Sequence, residues 1–138
     1  MKNPFHLAIP VHNLKKAADF YEHILKCKRG RENNSWIDFN LFGHQLVCHL
    51  VENLDETNSN LVDGDAIPIP HFGVVLNFDQ FDELANILIE QKINFIHKPK
   101  IRFSGMAGEQ RIMFIKDPSG NAIEFKAFKD LNSLFESK

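Results

Sequence analysis

Two histidines and a glutamate carry the most chemistry in this chain: His6 in Phe5-His6-Leu7-Ala8-Ile9, His71 in His71-Phe72-Gly73-Val74-Val75-Leu76, and Glu124 in Asn121-Ala122-Ile123-Glu124-Phe125. Each run is short and alternating enough to be a strand. Successive strand side chains point to opposite faces. His6 therefore stands opposite Phe5, Leu7 and Ile9; His71 opposite Phe72, Val74 and Leu76; and Glu124 opposite Ile123 and Phe125. If the three polar faces converge, they offer two imidazoles and a carboxylate to a divalent metal, with positions left open for substrate. A lone histidine on a strand is ordinarily a satisfied polar residue. Three such positions in a repeated frame favour ligation.

The frame is a unit that occurs twice. Residues 4–10 read as a strand, and Asn13 is placed to cap a helix to about residue 26, with Leu14, Ala17, Ala18, Tyr21, Ile24 and Leu25 on one face. Short strands follow near 27–31, 35–42 and 44–51, the last two joined at Gly43. The second unit opens at Pro70-His71. Asp79 is expected to cap a helix with Phe81, Leu84, Ala85 and Leu88 inward, and strands are predicted near 94–102, 110–116 and 121–127. Asp117-Pro118-Ser119-Gly120-Asn121 is a strong turn signal. The expectation is a single α+β domain over 1–138: two βαβββ modules (1–51 and 68–127), a polar linker at 52–67, and a tail at 128–138 with a short helix near Asp130–Glu136. Because His6 and His71 open equivalent strands, a pseudo-twofold duplication would bring them together on a cup-shaped mixed sheet.

Composition bounds the rest. With 138 residues, 43% hydrophobic and 25% charged, the chain can bury a core without staples. The net charge of −2 carries no run of one sign, which gives no footprint for nucleic acid or an anionic membrane. No apolar stretch reaches the length of a membrane span, and Met-Lys-Asn-Pro is unlike a signal peptide, so the expected address is the cytoplasm. Cys27 and Cys48, with no CxxC pair, read as reduced core thiols, and most of the 13 phenylalanines read as core. His12, His23 and His97 are expected at the surface; His49 shares a face with Gln45 and is a candidate for the cup. Arg102 and Arg111, on adjoining strands, are either solvated or ion-paired (with Glu109 or Asp117), or they form a positive rim for an anionic substrate. The segment Phe103–Gly108 between them is either a mouth loop or an ordinary long hairpin.

The segments His6-Leu7-Ala8-Ile9 with Asp19-Phe20-Tyr21, Pro70-His71-Phe72-Gly73, and Asp117-Pro118-Ser119-Gly120-Asn121-Ala122-Ile123-Glu124-Phe125 resemble the vicinal oxygen chelate superfamily over essentially the whole chain. That superfamily includes glyoxalase I, extradiol dioxygenases, fosfomycin-resistance enzymes and bleomycin-binding proteins. The resemblance implies paired βαβββ modules and metal ligands at His6, His71 and Glu124. It implies a small-molecule substrate whose neighbouring oxygens chelate the metal, and often a homodimer, sometimes with sites shared between chains. A glyoxalase-type acid on the last strand of the first module is missing; Gln45 and His49 are the residues there. The tyrosine that extradiol enzymes carry before the Pro-Ser-Gly turn corresponds to Phe114. The favoured expectation is an extradiol dioxygenase-like enzyme using Fe(II), with His49, Arg102 and Arg111 as candidate catalytic residues. The alternatives are a glyoxalase I-like lyase or isomerase using Mn, Zn or Ni, and a non-catalytic binding or resistance protein of the same fold.

Overall fold

The computed structural model describes residues 3–55 and 58–137. They form two compact units, Met1–Glu56 with Asp117–Asn121, and Thr57–Lys116 with Ala122–Lys138. The order β-α-β-β-β recurs in both, as the sequence predicts.

In the first unit β1 (His6–Val11), β2 (Lys28–Glu32), β3 (Trp36–Leu41) and β4 (His44–Leu50) make a mixed sheet in the order β1-β4-β3-β2. β1 and β4 are parallel, and the other pairs are antiparallel. Asn13 caps the helix α1 (Leu14–Ala18), its side-chain oxygen accepting from the Lys16 amide at 2.9 Å. The helix then widens into π-type turns over Asp19–Ile24, and Lys26, with φ near +60°, ends it. Ala17, Ala18, Phe20, Tyr21 and Leu25 are buried, so the helix buries most of the predicted stripe. Phe42 and Gly43 both have positive φ, the geometry of a tight two-residue hairpin, and the Asn40 side chain accepts from the Gly43 amide.

The Asp117–Asn121 turn falls in this first unit rather than with the second module. Asp117 is buried, and its carboxylate accepts four hydrogen bonds: from the amides of Ser119 and Asn121, from the Asn121 side chain, and from the Tyr21 hydroxyl at 2.8 Å. Asn121 also donates to the Pro10 carbonyl, and Ser119 Oγ accepts from the His12 amide.

The second unit repeats the topology with β7 (His71–Leu76), β8 (Phe95–Arg102), β9 (Gln110–Lys116) and β10 (Ala122–Ala127) in the order β7-β10-β9-β8, β7 and β10 being the parallel pair. The helix α2 (Phe78–Glu90) buries Phe81, Leu84, Ala85 and Leu88, as predicted. Its cap is Asn77 rather than the expected Asp79. Asn77 keeps an extended backbone and accepts from the Gln80 amide while Gln80 reciprocates, leaving Asp79 inside the first turn. Residues 52–67, expected as a polar linker, instead contain most of a hairpin of β5 (Asn58–Val62) and β6 (Asp65–Ile69). The tail forms a short 3₁₀ turn, Leu131–Phe135, capped by Asp130. No helix among the described residues is long and apolar enough to cross a membrane.

Candidate metal centre

β7 and β10 lie side by side in parallel, with Ala122 opposite His71 and Glu124 opposite Gly73. Gly73 is required at that register, because a Cβ there would fall 1.5 Å from the Glu124 carbonyl oxygen. The close approach brings His71 and Glu124 into one open depression of about 230 Å³, lined also by Phe72, Val74, Val75 and Lys126. Phe125, one residue from Glu124, is fully buried.

Glu124 is only 8% exposed, and Lys126 places its ammonium 3.0 Å from the carboxylate. Lys126 was missed by the sequence reading. The signal was its position two residues beyond Glu124 on the same strand face, but a terminal lysine near a strand end reads equally well as solvated.

The His71 ring is held on two sides. Its Nδ1 lies 2.7 Å from the Pro68 carbonyl oxygen, which can only accept, so Nδ1 carries a proton and the neutral ring keeps its lone pair on Nε2. The ring also stands nearly perpendicular to Phe114, with centroids 5.0 Å apart. His97 approaches Phe114 in the same way at 5.5 Å and donates through Nε2 to the Ala66 carbonyl, so it is half-buried rather than the surface residue expected.

His6 belongs to the first unit and repeats this arrangement with different atoms. Its Nδ1 lies 2.8 Å from Gln45 Oε1, while Gln45 Nε2 donates to Asp38 Oδ2 at 3.2 Å. That second bond fixes which end of the amide faces His6, so His6 also carries its proton on Nδ1 and leaves Nε2 free. Of the two residues on the strand where the glyoxalase-type acid is missing, Gln45 is thus an acceptor from the His6 ring. His49 pairs with Pro10 instead, four residues along β4 from Gln45, or about 13 Å at strand rise, and is exposed. Among the described residues, no three of His, Cys, Asp and Glu come together as a group able to hold a metal ion.

The two arginines considered for a positive rim have other partners. Arg102 is buried, donating to the Val62 carbonyl at 2.6 Å and to Asp65 at 3.1 Å. Arg111 pairs with Asp82 at 2.8 Å and stacks over Phe78 at 3.9 Å. Neither meets Glu109 or Asp117 in these contacts. The thiols are inert by environment: burial pushes Cys27 up to about 12, and burial together with the nearby Asp117 charge pushes Cys48 up as well. Burial, then Asp117, raises Tyr21 well above the phenolic range, so it stays a donor.

Residues 4–125 match the profile of the Glyoxalase/Bleomycin resistance protein/Dioxygenase superfamily. The chain belongs to that superfamily, and its fold is the one inferred from the repeated modules. Among solved structures it is similar to a glyoxalase/bleomycin resistance protein/dioxygenase from Alicyclobacillus acidocaldarius, with 35% identity, coverage of 98% of this chain and 97% of that one, and a TM-score of 0.83. It shares its fold with the genomically encoded fosfomycin resistance protein FosX from Listeria monocytogenes (16% identity, 98% and 99% coverage, TM-score 0.73). It also shares it with a lactoylglutathione lyase from Agrobacterium tumefaciens (15% identity, 94% and 96% coverage, TM-score 0.66).

Proposed function

We propose that the protein is a metal-dependent enzyme acting on a small organic substrate through two neighbouring oxygens, with His6, His71 and Glu124 as ligands. The observation that carries this reading is the matched preparation of the two histidines. Each donates Nδ1–H to a fixed oxygen acceptor, Pro68 O or Gln45 Oε1, and keeps Nε2 as a free donor atom. Metal-bound histidines almost always make such an outer contact, because it sets the tautomer and ring orientation in advance. Two imidazoles with one carboxylate suit Fe(II), Mn(II), Zn(II) or Ni(II), and leave positions for two substrate oxygens.

When bound, the metal would act as a Lewis acid toward negative charge developing on those oxygens. The chain's own residues do the remaining work. Lys126, which now neutralises Glu124, is placed to hold an anionic oxygen of the substrate once Glu124 is engaged elsewhere. Val75 and Phe72 line the depression with apolar surface. Phe114 supplies no hydroxyl, so it cannot handle a proton as the tyrosine expected in ring-cleaving enzymes would. An extradiol dioxygenase-like reaction with Fe(II) remains our first reading within this class. A glyoxalase-like lyase or isomerase is the second; the missing acid on β4 counts against it as Phe114 counts against the first. The buried, reduced thiols fit a reducing compartment such as the cytoplasm.

Metal analysis of protein purified without an affinity tag or chelator, followed by titration of the apoprotein with Fe(II), Mn(II), Ni(II) and Zn(II), tests the proposal. Near-stoichiometric binding of at least one ion, lost in His6→Ala, His71→Ala and Glu124→Gln, is the expected result. Binding that survives all three substitutions would sink it.

A further inference from the structure

We propose that Arg102 is a positioning residue for His71, acting through the β5–β6 hairpin. The inference rests on the reading of His71 as a metal ligand. The acceptor that fixes the His71 ring, the Pro68 carbonyl, lies on β6, so the imidazole is only as well oriented as that strand. Ionic and apolar contacts anchor the hairpin to the sheet beneath it. Arg102 grips both sides of its turn with one guanidinium, Nη1 on the Val62 carbonyl and Nη2 on Asp65, and its side chain is only 4% exposed. Lys100 pairs with the same Asp65 carboxylate. Ile67 is buried against Ile112 and Phe114, with Val62 and Ile96 packed alongside.

These contacts run in register along one strand. Asp65 is gripped by Arg102, Ala66 accepts from His97, Ile67 is buried, and Pro68 accepts from His71. The His71 and His97 rings each stand nearly perpendicular to Phe114, which thus supports the imidazole that the hairpin orients. A guanidinium is the group this arrangement needs, because its planar fork reaches a carbonyl and a carboxylate at once, which an ammonium does not do in the same geometry. The chain thus reserves its buried arginine for the loop that sets a ligand's tautomer. This accounts for why Arg102 is withdrawn from the rim where the sequence suggested it.

Imidazole nitrogen NMR on the metal-free protein, with Mn(II) affinity measured alongside, tests the assignment. Wild-type His71 is expected as a single Nδ1–H tautomer. In Arg102→Leu, His71 should become a mixture of tautomers, and Mn(II) affinity should fall about 10–100-fold, the usual effect of losing an outer-shell partner. His6, oriented by Gln45, should keep its tautomer, and Arg102→Lys should fall between the two. A purely structural role would lower the melting temperature and leave the tautomer unchanged below it. A folded Arg102→Leu with wild-type tautomer and affinity overturns the inference. Should that variant fail to fold, Asp65→Asn breaks the same ion pair with the Val62 contact retained; a smaller shift in the same direction supports the inference, and none overturns it. If His71→Ala binds Mn(II) like wild type, the metal reading itself fails, while the tautomer measurement still decides whether Arg102 governs the ring.

Discussion

Glu124 and Gly73 are the pair on which the second half of the site turns, since β7 reaches β10 only because position 73 has no side chain. Gly73→Ala should force the strands apart at backbone, not at a flexible side chain. The expected result is a large loss of thermal stability together with loss of metal binding. An unchanged melting temperature would show that the strands can accommodate the methyl. Glu124→Gln should do something different, weakening metal binding while leaving the fold largely intact, because the residue faces the depression. Its neighbour Phe125, fully buried, should cost about 3–5 kcal/mol on truncation to alanine with little direct effect on ligation. Tyr21→Phe removes one donor from the buried Asp117 carboxylate and should cost about 1.5–3 kcal/mol by denaturant unfolding, the range for hydrogen bonds to charged groups. The parity of each strand was enough to place Glu124 and Phe125 on opposite faces. The hydroxyl of Tyr21 was not legible, because its partner lies 96 positions away and an apolar helix stripe says nothing about what a phenol tip meets.

At the scale of elements, the repeated β-α-β-β-β order and most of both helix faces could be read from hydrophobic periodicity, because the helices and most of the strands bury apolar residues. The β5–β6 hairpin could not. All but one residue of β5 are exposed, so it carries no apolar alternation, and Asp63-Gly64 with its flanking polar residues looks like linker. What holds the hairpin is sequence-distant: an ion cluster centred on Asp65, and Ile67 packed against Ile112 and Phe114. Lys100, by hydrogen bond and charge, with His97 and Arg102, holds Asp65 below the usual carboxylate range against the opposing effect of its burial. The sign follows from linkage. A carboxylate whose folded value is depressed contributes its full stability above the ordinary value near 3.8, and loses it as pH falls through the lower folded value. Wild type should therefore shed stability on the acid side of pH 4 more steeply than Asp65→Asn, by thermal melts across pH 2–5. Parallel curves would show that the ion cluster adds nothing. The Asn77 cap is likewise a local contest, which Gln80 decides by completing a reciprocal pair, and Asn77→Ala should cost about 1 kcal/mol.

At the scale of the whole molecule, the three proposed ligands divide between the two units, His6 in one and His71 and Glu124 in the second. Both histidines hold Nδ1 against a fixed oxygen acceptor, each within its own unit. Two closures satisfy that preparation: the units of one chain supply all three ligands, or each unit is completed by a second copy of the chain. Symmetric pairing is the commonest form of protein assembly, and a two-module chain allows exchange of modules without new chemistry. We predict a homodimer, with each site either within one chain or shared between chains. Sedimentation at micromolar concentration should give twice the chain mass of 15.9 kDa, and a lone monomer would reject the prediction. Mixing His6→Ala with Glu124→Ala chains then separates the closures. In a shared arrangement one site of each mixed dimer takes His6 from the Glu124→Ala chain and Glu124 from the His6→Ala chain, so it is whole, and metal binding returns to about one ion per mixed dimer. If every site lies within one chain, each keeps a missing ligand and mixing restores nothing.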